Sequence, residues 1–251
     1  MAGHSKWANT KHRKARVDAQ KGKLFTKIAR ELIVAAREGG PDPDANFRLR
    51  LAIQKARDVN MPGDNINRAI QKGSGEGESI SLEQVTYEGY GPSGVAILLE
   101  IMTDNRNRTA ADIRHIFSRR GGSMGESGCV AWIFNRKGYL TIDRAEGLPS
   151  EDELMMLALE GGAEDFQTEE NSYVILTSTE DFERVKDIFM KENIKLSTAE
   201  VTMVPSNLVR IEDADEAAKV LNLLEALEEH DDVQNVYANF DIPDEIMQSL
   251  Q

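Results

Sequence analysis

Nine lysines and arginines crowd the first thirty positions: Lys6, Lys11, Arg13, Lys14, Arg16, Lys21, Lys23, Lys27 and Arg30. One acid, Asp18, stands against them, so this stretch carries +8 in a chain whose total is −13. Ammonium and guanidinium groups at this density seek an anion. Trp7 and His12 set flat rings among them. Cations for phosphates and ring faces for bases are what a nucleic-acid strand binds. The candidate contacts are therefore Lys6, Trp7, Lys11, His12, Arg13, Lys14, Arg16, Lys21, Lys23, Lys27 and Arg30.

A second candidate anion site lies at Asp104-Asn-Arg-Asn-Arg-Thr109, where a predicted strand passes into a helix N-terminus. Arg106 and Arg108 would stand there beside free backbone N–H groups. An equally weighted reading is local: an Asp104/Arg106 clip with a Thr109/Asp112 capping box. At the other end of that helix, Arg119-Arg-Gly-Gly-Ser-Met-Gly125 reads as a glycine C-cap and a tight return.

Nothing in the remaining residues assembles a catalytic constellation. There is no His-Glu-x-x-His, Gly-x-Ser-x-Gly or Gly-Lys-Ser/Thr sequence. His4, His12, His115 and His230 lack metal-ligand spacing, and the single cysteine, Cys129, reads as a buried structural thiol. Gly73-Ser-Gly-Glu-Gly77 follows a predicted helix, the wrong context for a dinucleotide fingerprint, and reads as linker. The expectation is a non-enzyme with no cofactor and no metal. No apolar run has the length of a membrane helix, and one cysteine suits a reducing cytoplasm. We expect a cytoplasmic monomer with no membrane partner.

Three kinds of segment must position these groups. Residues 1–23 are polar and basic, with Trp7 and Val17 as the only large apolar groups, and read as an arm that is poorly ordered alone. From Leu24 apolar residues recur at spacings of three and four up to Gly39-Gly40-Pro41, which predicts a helix. Asp44 is the expected N-cap of a second helix reaching Asn60, and Asp64 that of a third over 65–72. The break at Gly39–Asp44 is too long for a helix-turn-helix, and no helix shows an obvious base-reading face. Residues 1–75 carry a net +9, with Arg48, Arg50, Lys55, Arg57, Arg68 and Lys72 extending the basic character, while residues 76–251 carry −22. That acidic remainder repels phosphate and could meet basic proteins, although solubility alone would account for it.

Beyond the linker, strand and helix patterns alternate. Val85–Gly89 and Val95–Met102 read as a hairpin, followed by a helix over 107–119 and a strand over Val130–Phe134. Residues 138–204 give strand, helix, strand, strand, helix, strand, the split ferredoxin-like unit. A helix over 213–229 and a strand over 233–240 remain, and can only complete the earlier hairpin segment. The expected architecture is α+β and multidomain: a basic helical domain over 1–78, a middle α+β domain from 79–134 plus 205–251, and a ferredoxin-like α+β domain inserted as 135–204. Both α+β domains are expected to place two helices on one face of a sheet. Glu225–Asp232 reads as a solvated helix face and its exit.

Several stretches match one family. They are Gly3-His-Ser-Lys-Trp-Ala-Asn-Thr-Lys-His-Arg-Lys14, Lys21-Gly-Lys-Leu-Phe-Thr-Lys-Ile28, Gly40-Pro-Asp-Pro-Asp-Ala-Asn46, Asn60-Met-Pro62, Tyr87-Glu-Gly-Tyr-Gly91, Asp104–Thr109 and Asp231-Asp-Val-Gln-Asn-Val236. Through them the chain resembles the YebC family over nearly its whole length. It departs at Phe47, where that family often has proline. The resemblance implies a helical domain and two α+β domains, the last inserted in the middle one. It also implies roles. Members are classed as DNA-binding transcriptional regulators of the bacterial cytoplasm. Relatives, mitochondrial ones included, act as ribosome-associated factors that help translation through proline-rich stretches. Functional residues carry over onto the basic arm and the Asp104–Thr109 loop.

Three functions follow as expectations: a DNA-binding transcriptional regulator, an RNA- or ribosome-bound translation factor, and a protein-interaction module whose basic arm is incidental. The residues and the resemblance together favour a non-enzymatic nucleic-acid-binding regulator of gene expression. They do not choose between DNA and ribosomal RNA or tRNA.

Overall fold

The computed structural model describes residues 18–75, 82–169 and 171–250. Within them the chain divides into two compact units, residues 132–208 and the remainder.

The larger unit begins with three helices, α1 (Asp18–Gly39), α2 (Phe47–Asp58) and α3 (Gly63–Gly73). Helix α1 includes Asp18–Lys23, so 18–23 of the expected arm are helical. Extending an existing helix costs far less than nucleating one, and the packed turns from Leu24 onward supply the nucleus. Ile28, Leu32, Ile33, Ala35 and Ala36 of α1 meet Leu49, Ala52 and Ala56 of α2 and Ile66 and Ala69 of α3 in one core. At Gly73 two backbones touch: a Cβ there would stand 2.4 Å from the Ile33 carbonyl oxygen. Only glycine allows that approach.

The N-cap of α2 is Asn46, not Asp44. Asn46 is buried and uses both ends of its amide. Its oxygen accepts from the Leu49 N–H at 3.0 Å, while its nitrogen donates to the carbonyls of Ala35 and Gly40 at 2.8 Å each. An aspartate has no N–H to donate and could not tie the two helices together. Between α2 and α3 only Val59, Asn60, Met61 and Pro62 intervene. Asn60 sits at φ 58. Its N–H bonds to the Arg57 carbonyl, and that of Met61 to the Ala56 carbonyl, each at 2.9 Å. This is a Schellman closure with asparagine in the left-handed position.

A four-stranded antiparallel sheet follows, in the order β3-β1-β2-β9, from β1 (Glu83–Tyr90), β2 (Ala96–Thr103), β3 (Ser123–Met124) and β9 (Val233–Ala238). The expected hairpin forms, with Glu83 opposite Thr103 and Tyr90 opposite Ala96. The strand expected at 130–134 does not form. A 3-10 turn occupies Ala131–Ile133, and the sheet's short outer strand is β3. Helices α4 (Arg106–Arg119) and α7 (Ala214–Glu228) cover one face. Ile97, Leu99 and Ile101 pack there against Ile113, Phe117, Val220, Leu223, Leu224 and Leu227. Two short strands, β8 (Val209–Arg210) and β10 (Phe240–Asp241), pair in parallel, and α8 (Asp244–Ser249) ends the unit. These small elements carry too few residues for periodicity to reveal.

Residues 132–208 hold β4 (Phe134–Asp143), α5 (Glu151–Gly161), β5 (Ala163–Thr168), β6 (Ser172–Thr177), α6 (Phe182–Lys191) and β7 (Thr198–Pro205). The sheet order β5-β6-β4-β7, antiparallel throughout, is the split β-α-β-β-α-β arrangement. Leu140, Ile142 and Ile175 face Leu154, Ala158, Phe182, Val185 and Phe189 across its core. Ser150 and Glu153 form a capping box at the start of α5.

Candidate nucleic-acid interface

Lys6, Trp7, Lys11, His12, Arg13, Lys14 and Arg16 lie outside the described residues. Lys21 lies in the first turns of α1. The cations that follow are engaged within the molecule. Lys23, Lys27 and Arg30 recur every four and three residues, so they share one side of α1. There they meet the C-terminal end of α7 and the turn after it. Lys23 Nζ donates to the Glu229 carbonyl at 3.3 Å, and Lys27 Nζ to the Glu228 carbonyl at 2.6 Å. The Arg30 guanidinium donates to the carbonyls of Asp231 at 2.5 Å and Met102 at 3.2 Å. A helix C-terminus presents unsatisfied carbonyls and the negative end of its dipole, so three cations complement it. The structure thus places these three predicted contacts in a joint between α1 and the sheet.

Asp232 anchors that joint, contrary to its reading as part of a solvated exit. It is 3 % exposed. Arg30 donates to its Oδ1 at 2.9 Å. Its Oδ2 accepts from Thr109 Oγ1 at 2.6 Å, Thr103 Oγ1 at 3.1 Å and Arg108 at 3.2 Å. Burial pushes this carboxyl up, but the Thr109 hydroxyl and the Arg108 and Arg30 guanidiniums outweigh it and hold it below the usual carboxylate range. A buried aspartate gives no periodic signal. In the chain it stands four residues past the end of α7, and only the fold brings it beside α1.

The Asp104–Thr109 loop separates its two arginines. Arg108 pairs with Asp104 at 2.7 Å as well as with Asp232. These partners raise its pKa further, the Asp104 hydrogen bond most. The N-cap of α4 is Asn105, whose side chain accepts from the Arg108 N–H at 3.1 Å, and the expected Asp104/Arg106 clip is an Asp104/Arg108 pair. Thr109 spends its hydroxyl on Asp232 and on the Asn105 carbonyl rather than on a capping box. Arg106 is exposed, and among the described residues no acceptor meets its guanidinium. Arg108→Ala should therefore lower the denaturation midpoint while Arg106→Ala leaves it unchanged; equal effects in urea titrations would contradict this division. The glycine return is as expected: Gly121 takes φ 78, and the Gly122 N–H bonds to the Phe117 carbonyl at 2.9 Å.

The remaining cations of the helical layer divide likewise. Arg48 pairs with Glu38, and Lys55 with Glu31 at 3.1 Å. Arg50 lies over the exposed Phe47 ring, 5.6 Å from its centroid. Arg57, Arg68 and Lys72 are exposed, with no acidic partner among the described residues. These three and Arg106 are left open to an anion.

Glu88 is a second buried acid that pattern reading passed over. It lies in β1, 3 % exposed. One carboxylate oxygen accepts from the Gly128 N–H at 2.6 Å, the other from Val130 and Ala131 at 2.7 Å each. Burial pushes its pKa up, and the three amides together bring it below normal. Beside it, Cys129 is held above the ordinary thiol value, by burial first and then by the Glu88 charge. A protonated thiol is a poor nucleophile.

Known proteins match along the whole chain. The profile for the TACO1/YebC protein N-terminal domain covers residues 5–76, and that for the TACO1/YebC second and third domain covers 82–240. A protein of Natranaerobius thermophilus is 59 % identical over 251 residues, 99 % of this chain and 100 % of that one. One of Halothermothrix orenii is 58 % identical over 250 residues, 100 % of this chain and 99 % of that one. Both are named probable transcriptional regulatory proteins. The crystal structure of a conserved hypothetical protein from Aquifex aeolicus superposes with a TM-score of 0.80 at 51 % identity, covering 93 % of this chain and 96 % of that one. With the two profiles matched over residues 5–76 and 82–240, the chain belongs to the TACO1/YebC family.

Proposed function

We propose that this protein is a non-enzymatic regulator of gene expression in the cytoplasm that binds DNA through its basic helical end. One observation carries the reading. Residues 1–75 hold +9 and the rest −22, and within the basic end Arg57, Arg68 and Lys72 stay open to solvent after Arg30, Lys27 and Lys23 are engaged. An anionic strand meeting this molecule is drawn to the basic helices and repelled by the acidic remainder of the chain. The relatives' names supply the transcriptional half of the reading.

Salt dependence tests it. With about six phosphates contacted, log K against log salt falls with a slope of roughly −5 on duplex DNA and less steeply on single strands. Removing residues 1–17, which leaves the Lys23–Arg30 joint intact, should reduce both affinity and slope. A salt-independent affinity would sink the proposal.

A second reading is a ribosome-associated translation factor bound to ribosomal RNA or tRNA. Trp7 and His12 among the cations favour it, because ring stacking suits unpaired bases. Co-sedimentation with ribosomes in a lysate gradient, released by salt, distinguishes it from the first.

A further inference from the structure

We propose that α2, the turn at 59–62 and α3 form a helix-turn-helix in which α3 enters the major groove of duplex DNA and Asn67, Arg68 and Gln71 read base edges. The proposal deepens the DNA-binding reading above and rests on it.

The frame comes first. A helix-turn-helix joins two helices by a three- or four-residue turn, and its second helix is the reader. Here four residues intervene, fewer than the seven, 40–46, between α1 and α2. The turn is closed by Asn60 in the left-handed region and plugged by Met61, which is buried. Ala56 before the turn and Ile66 and Ala69 after it are buried too, so the two helices are locked by side chains at the corner. Helix α1 backs the pair, touching α3 at Gly73 with no room for a side chain. The inward side of α3 is thus fully committed, and one side faces outward.

That outward side has the right chemistry. Asp64, Asn67, Arg68 and Gln71 follow the 0, 3, 4, 7 spacing of a single helical stripe, with Lys72 beside it, and all are exposed. No hydrogen-bond or ion-pair partner engages the side chains of Asn67, Arg68, Gln71 or Lys72 among the described residues. Arginine matches the O6 and N7 acceptors of guanine; asparagine and glutamine match the N6 and N7 pair of adenine. From Asn67 to Gln71 the helix rises roughly 6 Å, so the three side chains span about two base-pair steps. Arg57 in the last turn of α2 and Lys72 in the last turn of α3 bracket the reader with open cations for phosphates. The partner is a B-form duplex because its major groove admits a helix; the deep, narrow major groove of A-form RNA does not.

Selection from a randomised duplex pool with the full chain tests this. The wild type should enrich a short motif and prefer it over a shuffled duplex by roughly ten-fold or more in fluorescence anisotropy. The triple variant Asn67→Ala, Arg68→Ala, Gln71→Ala replaces exposed side chains by a good helix former, so its circular dichroism melt should not fall. It should lose the preference while still binding duplexes in a salt-dependent way. Arg68→Lys should keep the salt slope and lose discrimination at a guanine. A pool with no enriched motif, a triple variant that keeps the preference, or uniform weakening on all duplexes with preference unchanged would each overturn the proposal. All three leave the broader nucleic-acid reading standing, because salt-dependent binding persists in each. That reading fails separately, if neither duplex nor single strand binds with a salt slope.

Discussion

Asp232→Asn should lower the stability of the protein by about 3 kcal/mol in urea denaturation at neutral pH. The figure is the low end for removing one partner from a buried ion pair, since Arg108 stays half exposed and can turn to water. Two guanidiniums and two hydroxyls converge on this carboxylate, so the substitution removes its charge and replaces one acceptor oxygen by an NH₂ that faces the same donors. The loss has a pH signature. The folded Asp232 carboxyl titrates below its unfolded value of about 3.9. Its contribution is therefore fully present above about pH 4 and disappears as pH falls through the lower folded value. The gap between wild type and Asp232→Asn should close over that acid window. A gap that stays constant from neutral pH to pH 3 would show that the charge on Asp232 is not what the joint uses. Because Lys23, Lys27 and Arg30 grip the end of α7 around this group, hydrogen exchange in α1 should quicken in the variant.

Glu88→Ala should cost about 2 kcal/mol, because it leaves three backbone amides, the buried one of Val130 among them, without their acceptor. Glu88→Gln should cost about half as much. Its oxygen can still accept from Val130 and Ala131, but its NH₂ then faces the Gly128 N–H, donor against donor. Amide exchange at Gly128, Val130 and Ala131 reads the effect directly and should rise far more than exchange in the centre of β2. Protection unchanged at all three positions would rule the carboxylate out as the clamp of this loop. Glu88 adds to the same acid limb as Asp232: its folded pKa lies below the unfolded value of about 4.3, so its contribution fades as pH falls below that range.

The two acids mark where sequence reading stops. The long helices, the hairpin and the split unit were legible because their apolar residues repeat with the period of the element, as Ile97, Leu99 and Ile101 do in β2. The end of the arm and the cap of α2 were not, because each depends on what lies beside it. Lys23, Lys27 and Arg30 read as free cations until α7 stands next to them. Asp44 and Asn46 are both good capping residues in isolation, and only the nearby end of α1 selects the one that also donates. The second helix was expected to reach Asn60, whereas it ends at Asp58 and leaves a four-residue turn before α3.

By itself the sequence determined the charge segregation, the family resemblance and the succession of helices and strands, since charge is additive along a chain and periodicity is local. The tertiary structure decided which cations remain available. An ion pair between residues 202 positions apart, Arg30 and Asp232, forms only when the chain closes on itself. That closure turns three candidate contacts into a joint and leaves Arg57, Arg68 and Lys72 facing outward.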